Sequence, residues 1–339
     1  MLFLFVYFKV YINPIGNDDC LLAIGYSDRE VEEIQKLHSF SMVKELEHYS
    51  YLPFLVELIQ SPSYDSQNLF RYVDYILSLE DGYDLEAVIY LVNHNILYPY
   101  SQKLADLFQN PYFILARLDR YMGYNADSID DTIRNVNSNL DYPFYTNIQM
   151  ADVSKGHLVL VNKYFQLEKG YYYGELVTLN SNYDNKNGSK LSKDAYLAFS
   201  QLVDAAEKEG YHIRNNSAYR TFDYQSYLYT NYKNQRGSDW ADQWSARAGH
   251  SEHQTGLALD VGIKSSYALG QFEYSEEFGW MKDHAHQYGF ILRYPKGKEY
   301  ITGYSYEPWH YRYVGVDVAT YIYEHDITFE EYYAYFVLK

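Results

Sequence analysis

A single cysteine, Cys20, is present in 339 residues. It can close no intramolecular disulfide and build no cysteine zinc site, so any metal must be held by His and carboxylate side chains. Runs of Lys and Arg are also missing. The chain has 28 Lys and Arg against 45 Asp and Glu, a net charge of −17 at pH 7. That balance repels nucleic acid and anionic lipid at long range and argues against a nucleic-acid-binding function. Long apolar runs are scarce too. The opening stretch from Met1 to Ile12 is apolar but interrupted at Lys9, and it is too short to span a bilayer. It lacks a basic start and a small-residue cleavage site. It reads as the remnant of a membrane anchor or signal, which would allow anchoring through the N-terminus, or as an ordinary strand.

What is abundant is tyrosine, at 43 residues, within a chain that is 47% apolar. Tyr combines a large ring with one polar tip and suits cores, interfaces and sugar-lined grooves alike. The length allows two domains, or one domain with a substantial addition. From Tyr26 to about Tyr145 the pattern is helical. Ser27 followed by Glu30 is a capping box ahead of Val31, Ile34 and Leu37. Ile89, Val92, Asn93, Asn95, Tyr98, Pro99 and Tyr100 recur as Ile133, Val136, Asn137, Asn139, Tyr142, Pro143 and Phe144. Helical-hairpin arrays have periods of about 34–47 residues, so this half is expected to be a small set of helical hairpins. Its role is either a spacer that packs on the second half or a binding module for wall or partner protein.

The expected organisation is residues 1–20 as the anchor or signal remnant, 21–150 as an all-α region, and 151–339 as an α+β domain. Within the last part, His157 to Tyr164 reads as a buried strand and Ser181 to Lys193 as a loop. Ser192 is a candidate cap for a helix running to Glu209. A strand starts near Tyr211, a helix covers Asp223 to Lys233, and Leu257 to Ile263 alternates as a strand. A helix from Glu276 stops at Gly289, and Trp309 to Val314 is a strand. Strands mixed with helices in this order suggest an antiparallel or mixed sheet.

The segment with most chemistry runs from Ser251 to Asp260. On a strand, Leu257, Leu259, Val261 and Ile263 face one way, and Gly256, Ala258, Asp260 and Gly262 the other. The second row is small except for one carboxylate, which leaves room around Asp260 for a metal. Glu307-Pro308-Trp309-His310 supplies a further His and a carboxylate. A catalytic zinc keeps three protein ligands and one open position, and His253, Asp260 and His310 make that set. A carboxylate outside the ligand set can then take a proton from water. Glu307 is the choice for that role and Glu252 its competitor. Any single His in a chain is more often a packed side chain than a ligand, and His250, His284 and His286 are read that way. Ser217-Ala218-Tyr219-Arg220 follows a strand and opens a helix, where an Arg can offer a forked donor to an oxyanion or carboxylate.

Four segments together resemble the VanY-type D-alanyl-D-alanine carboxypeptidases, with the LdcB-type L,D-carboxypeptidases as close relatives. They are Ser217 to Arg220 with Gln225; Ser245 to Asp260; Tyr288 to Pro295; and Glu307 to Gly315. The resemblance covers roughly Gly156 to Gly315. It implies a compact zinc-peptidase fold with an antiparallel sheet and flanking helices, acting outside the cytoplasmic membrane on peptidoglycan stem peptides. It implies Zn2+ on His253, Asp260 and His310, Glu307 rather than Glu252 as general base and then acid, and Arg220 on the tetrahedral intermediate. Ser217, Tyr219, Gln225, Ser251 and Trp309 take pocket positions. Ala218, Ala248 and Gly174 depart from the family's usual Gly, Pro and Pro, which bears on loop shape and substrate preference. D,D-carboxypeptidase action is the leading expectation. L,D-carboxypeptidase or endopeptidase action, and a non-catalytic wall-peptide-binding module, are the alternatives.

Overall fold

The computed structural model describes residues 17–37, 40–46, 48–79, 83–96, 102–266 and 268–338; the segment from Met1 to Ile12 lies outside them. Among the described residues no helix is long and apolar enough to cross a membrane. The contacts divide the chain into two compact units, Met1–Leu115 and Ala116–Lys339.

The first unit holds α1 (Asn17–Ile24), α2 (Asp28–Leu37), α3 (Phe40–Leu46), α4 (Leu55–Gln60), α5 (Leu69–Leu77), α6 (Leu85–Asn93) and α7 (Gln102–Gln109). The capping box at α2 forms: Ser27 N–H donates to Glu30 Oε2 at 2.7 Å, and Glu30 N–H donates to Ser27 Oγ at 3.4 Å. Its core is aliphatic with buried tyrosines, including Ile34, Leu55, Leu58, Tyr72, Val88 and Ile89.

The second unit opens with α8 (Leu118–Gly123) and α9 (Ile129–Asn137). The repeat visible in sequence has matching internal geometry. From α5, the Tyr72 hydroxyl donates to Asn93 Oδ1 at the end of α6, and Arg71 Nη2 donates to Asn95 Oδ1 at 2.8 Å. From α8, the Tyr121 hydroxyl donates to Asn137 Oδ1 at 2.5 Å, and Arg120 Nη2 donates to Asn139 Oδ1 at 2.9 Å. Asn95 and Asn139 both take left-handed backbone, with φ of 53° and 62°, which Asn tolerates better than most residues.

Residues 116–150 group with the α+β part, not with the helical unit before them as the expected boundary at 150/151 had it. The segment after α9 is the reason. The Tyr164 hydroxyl donates to Tyr142 O at 2.7 Å. The Lys163 ammonium donates to Asp242 O and sits over the rings of Phe144, Tyr145 and Tyr304 at 5.3, 4.8 and 4.4 Å. Arg247 lies over the Tyr145 ring at 3.9 Å.

Two short pairs follow, β1 (Gln149–Met150) with β2 (Phe165–Gln166), parallel, and β3 (Leu176–Thr178) with β4 (Lys190–Ser192), antiparallel. The main sheet has the order β5 (Ile213–Ser217), β6 (Ala258–Ile263), β8 (His310–Tyr313), β7 (Phe290–Leu292), antiparallel throughout. Around it lie α10 (Lys193–Lys208), α11 (Phe222–Arg236), α12 (Ser238–Trp244), α13 (Glu276–His284), α14 (Glu299–Thr302), α15 (Val316–His325) and α16 (Phe329–Tyr332). The unit is α+β. Leu257, Leu259, Val261 and Tyr311 pack on one sheet face with Ala195, Phe199, Leu202, Val203 and Ala206 of α10. The opposite face carries Asp260 and His310.

Three local expectations are corrected. His157 to Tyr164 forms no strand: Val153–Leu158 is a 3-10 segment, and Val159 to Val161 are buried without a ladder. The carbonyls of His157 and Val159 accept instead from Arg312 Nη2 at 2.9 and 2.8 Å, and Asn162 Oδ1 accepts from the N–H of Tyr164 and Phe165 at 2.9 and 3.2 Å. Those side chains satisfy backbone groups that a neighbouring strand would otherwise have taken. The loop expected over Ser181 to Lys193 ends in strand β4. Ser192 occupies the N-cap position of α10 but makes no side-chain cap bond; its backbone N–H donates to Gly256 O at 2.8 Å.

Candidate metal centre and catalytic cleft

The site is assembled at one end of the β5–β6–β8 face. The β5–β6 register shifts between Asn215 and Ser217, so that Ser217 pairs with Asp260, and Asp260 pairs with His310. A bulge of this kind re-aims the end of a strand. His253 sits on a 3-10 turn, Glu252–Thr255, which Gly256 closes in left-handed conformation at φ 76°. A Cβ at Gly256 would stand 2.7 Å from Leu176 Cδ2 and 3.2 Å from Ser192 N, so both the φ and the close approach require glycine.

His253, Asp260 and His310 are buried, and each offers a ligand atom within 4.8 Å of the others. His253 Nδ1 is bonded to Ala218 O at 2.8 Å. A carbonyl only accepts, so Nδ1 carries the proton and Nε2 presents its lone pair to the site. Asp260 Oδ1 lies 3.3 Å from both His253 Nε2 and His310 Nδ1, and it has no hydrogen-bond partner. An acceptor buried between two imidazoles with no donor of its own, as Asp260 Oδ1 is, calls for a cation. Neutral imidazole and carboxylate are ligands that zinc accepts, so the residues fit that ion. Arg220 Nη2 also reaches the cluster, donating to His253 Nε2 at 2.7 Å and Asp260 Oδ2 at 2.9 Å.

The electrostatics agree. Burial, with Arg220 nearby, pushes the His253 imidazole down to about 4, so it is neutral near pH 7. Burial alone would lower His310, but the neighbouring Asp260 and Glu252 carboxylates and the charge of Glu307 outweigh it and raise it to about 9. Burial opposes ionisation of Asp260, and His253, His310 and Arg220 hold it well below the usual carboxylate range. The cluster thus takes up positive charge, as a proton on His310 or as a bound cation. Glu307 Oε2 lies 3.5 Å from His310 Nδ1; burial and the Asp260 carboxylate push Glu307 up to about 7.

Glu252, the other candidate base, is in a different setting. Its Oε1 accepts from Arg293 Nε and Arg312 Nη1, both at 2.8 Å. Arg293 donates in turn to both oxygens of Glu330 on α16, at 2.8 and 2.6 Å. Glu252 Oε2 faces His310 Nε2 at 3.8 Å. Burial works against its ionisation, and the two guanidinium groups outweigh it, holding Glu252 ionised well below the usual range. Glu252 is therefore placed behind His310, away from the cleft.

The cleft in front has a volume of about 510 Å³. Ser217, Tyr219, Arg220, Gln225, Ser251 and Trp309 all line it, together with His253, Asp260, Glu307 and His310. Gln225 Oε1 accepts from Arg220 Nη1 at 3.0 Å, and Ser217 Oγ from Arg220 Nε at 3.2 Å, so these two fix the guanidinium. Of the three departures from the family pattern, Ala218 supplies the carbonyl that orients His253. His250, His284 and His286 lie outside the cluster; His250 Nδ1 bonds Asn162 O at 2.7 Å.

Sequence reasoning named no role for Arg293, Arg312 or Glu330, nor for Tyr294, whose ring packs on His310 at 4.8 Å. The first two stand inside the motif segments, Arg293 directly after the apolar strand β7 and Arg312 on β8, and that placement is the available signal. Glu330 carried none.

The unit is α+β, and the comparisons with known proteins show its class to be a peptidase. A family model described as VanY, D-alanyl-D-alanine carboxypeptidase, matches residues 188–316. A putative carboxypeptidase of Bacillus subtilis (strain 168), YodJ, is 38% identical over 223 residues, which is 61% of this chain and 80% of that protein. A D-alanyl-D-alanine carboxypeptidase of Enterococcus faecium is 38% identical over 196 residues, 56% of this chain and 61% of its own length. Among solved structures, the LdcB LD-carboxypeptidase aligns with a TM-score of 0.52 and 38% identity, covering 56% of this chain and 91% of that one. The chain belongs to the VanY family of D-alanyl-D-alanine carboxypeptidases, in which LdcB-type enzymes are relatives.

Proposed function

We propose that this protein is a zinc-dependent exopeptidase that removes the terminal D-alanine of peptidoglycan stem peptides, outside the cytoplasmic membrane. The observation that carries this reading is the buried His253–Asp260–His310 cluster, whose ligand atoms converge within 4.8 Å, with the Glu307 carboxylate beside it. Zn2+ held by those three side chains would supply Lewis acidity and acidify the attacking water. The chain's own groups do the rest. Glu307 takes the water proton and hands it to the leaving amine nitrogen. Arg220 offers donors to the oxygen on which negative charge develops, held in place by Ser217 and Gln225. Tyr219, Ser251 and Trp309 bound the space for the terminal residue. Glu252 keeps the His310 ring oriented from behind.

D,D-cleavage of the pentapeptide is the leading specificity, supported by the names of the Enterococcus relatives. Cleavage of the tetrapeptide is the second reading, favoured by the likeness to the LD-carboxypeptidase. Mass spectrometry of both stem peptides after incubation with zinc-loaded protein separates them. Loss of one alanine from the pentapeptide, abolished by a chelator, is the expected result. Loss from the tetrapeptide alone assigns the L,D reaction, and cleavage of neither overturns the exopeptidase reading.

A further inference from the structure

The helical hairpin at the mouth of the cleft spends its aromatic residues differently from the rest of the unit. α10 buries Ala195, Phe199, Leu202, Val203 and Ala206 along one face. α11 is nearly as long, yet Gln225 is its one buried residue. A helix in a globular domain is normally held by an apolar stripe turned to the core; α11 turns rings to solvent. Tyr224 is 52% exposed, Tyr227 61%, Tyr232 38% and Trp244 on α12 39%. These rings support one another. Tyr224 and Tyr227 stack at 6.4 Å with 25° between their planes. Tyr232 meets Trp240 edge-on at 5.7 Å, and Trp240 stacks on Trp244 at 6.0 Å and 24°.

The platform is continuous with the reaction centre. Tyr224, Leu228 and Tyr232, spaced four apart on α11, line the same cleft as Glu307 and His310, and so does Trp244. An exposed aromatic patch contiguous with a substrate cleft marks a binding surface. Rigid Tyr and Trp rings present flat apolar faces with polar edges and lose little entropy on contact. That matches a pyranose ring, which is apolar on its faces and polar around its rim. A helical hairpin exposes no unpaired strand edge for an extended peptide, and the net charge of −17 repels polyanions.

We propose that the α11–α12 hairpin is a saccharide platform for the N-acetylated amino-sugar chain to which the stem peptide is attached, so that the enzyme grips glycan and peptide together. This rests on the stem-peptide reading above. The test compares the stem peptide, penta- or tetrapeptide, free and carried on its peptidoglycan disaccharide. The full chain is used, as wild type and as the Tyr227→Ala/Trp240→Ala double variant, whose altered side chains do not line the cleft. Wild type is expected to favour the disaccharide form by about tenfold in kcat/KM, through KM, a difference of about 1.4 kcal/mol. The double variant is expected to cleave the free peptide at the wild-type rate and to lose the preference. Trp240→Phe, which keeps a ring, is expected to retain it. Equal kcat/KM for both forms in wild type, or a preference that survives the double substitution, overturns the proposal. Calorimetry with a peptide-free chitin oligosaccharide reads the platform even where no peptide is cleaved. Binding by wild type that the double variant lacks supports it, and no binding by wild type overturns it.

Discussion

Two buried ionic clusters meet at His310 and are built on opposite plans. Behind the ring, Glu252 and Glu330 are matched by Arg293 and Arg312, with 2.6–2.8 Å hydrogen bonds between them. In front of it, Asp260 Oδ1 has two imidazoles at 3.3 Å and no hydrogen bond. The first cluster is closed and holds its shape, whereas in the second Arg220 takes Asp260 Oδ2 and leaves Oδ1 without a donor, which is where a cation would act. A buried ion pair is weak evidence for net stability, so the rear cluster is better understood as a brace that fixes His310 while the front cluster is left reactive.

The contrast can be broken from either side. The largest effect is expected in front: Glu307→Ala should lower turnover about a thousandfold, within the range for a lost general acid–base group, while bound zinc is unchanged. Kinetics with metal analysis on the same sample checks both halves. Behind the ring, Glu252→Ala leaves the buried Arg312 guanidinium without a carboxylate and Arg293 with Glu330 alone. Unfolding free energy should fall by about 3–5 kcal/mol in denaturant titrations, and zinc affinity by about 10–100-fold in chelator competition. A variant that lost stability but kept wild-type affinity would show that the brace does not reach the metal site.

The smallest effect concerns the aromatic cage around Lys163. Burial pushes its ammonium down to about 8, against about 10.4 in an unfolded chain. Between those values the unfolded state binds more protons, so the stability of the native state rises with pH through that window. Relative to Lys163→Met, wild type should gain at most about 3 kcal/mol between roughly pH 8 and pH 10.4, and nothing below pH 8. Denaturation of both proteins at pH 7.5 and pH 10 checks this; a constant difference would mean that the ring faces and the Asp242 carbonyl keep the ammonium at its ordinary value.

What could be read beforehand follows from where the information lies. The alternation of Leu257, Leu259 and Val261 against Asp260 is a period-2 signal, and β6 formed with those residues in the core. The α10 stripe is equally local. The separation of Glu252 from Glu307 is not local. Both are acidic residues close in sequence to a site histidine, and only the arrival of Arg293, Arg312 and Glu330 from three later elements decides which faces the cleft. The failed strand over His157 to Tyr164 has the same origin. Its apolar run reads as a strand, but the guanidinium of Arg312 takes the carbonyls from far along the chain. Likewise the first residues after α9 join the second unit because Lys163 and Arg247 capture Tyr145, pairings that no window of the sequence contains.

The central claim is tested most directly by measuring bound zinc and stem-peptide turnover together in wild type, His310→Ala and Glu307→Ala. One zinc per chain is expected in wild type, its loss in His310→Ala, and its retention in Glu307→Ala with turnover lowered about a thousandfold. Zinc that stays in His310→Ala, or turnover near the wild-type rate in Glu307→Ala, would contradict the claim.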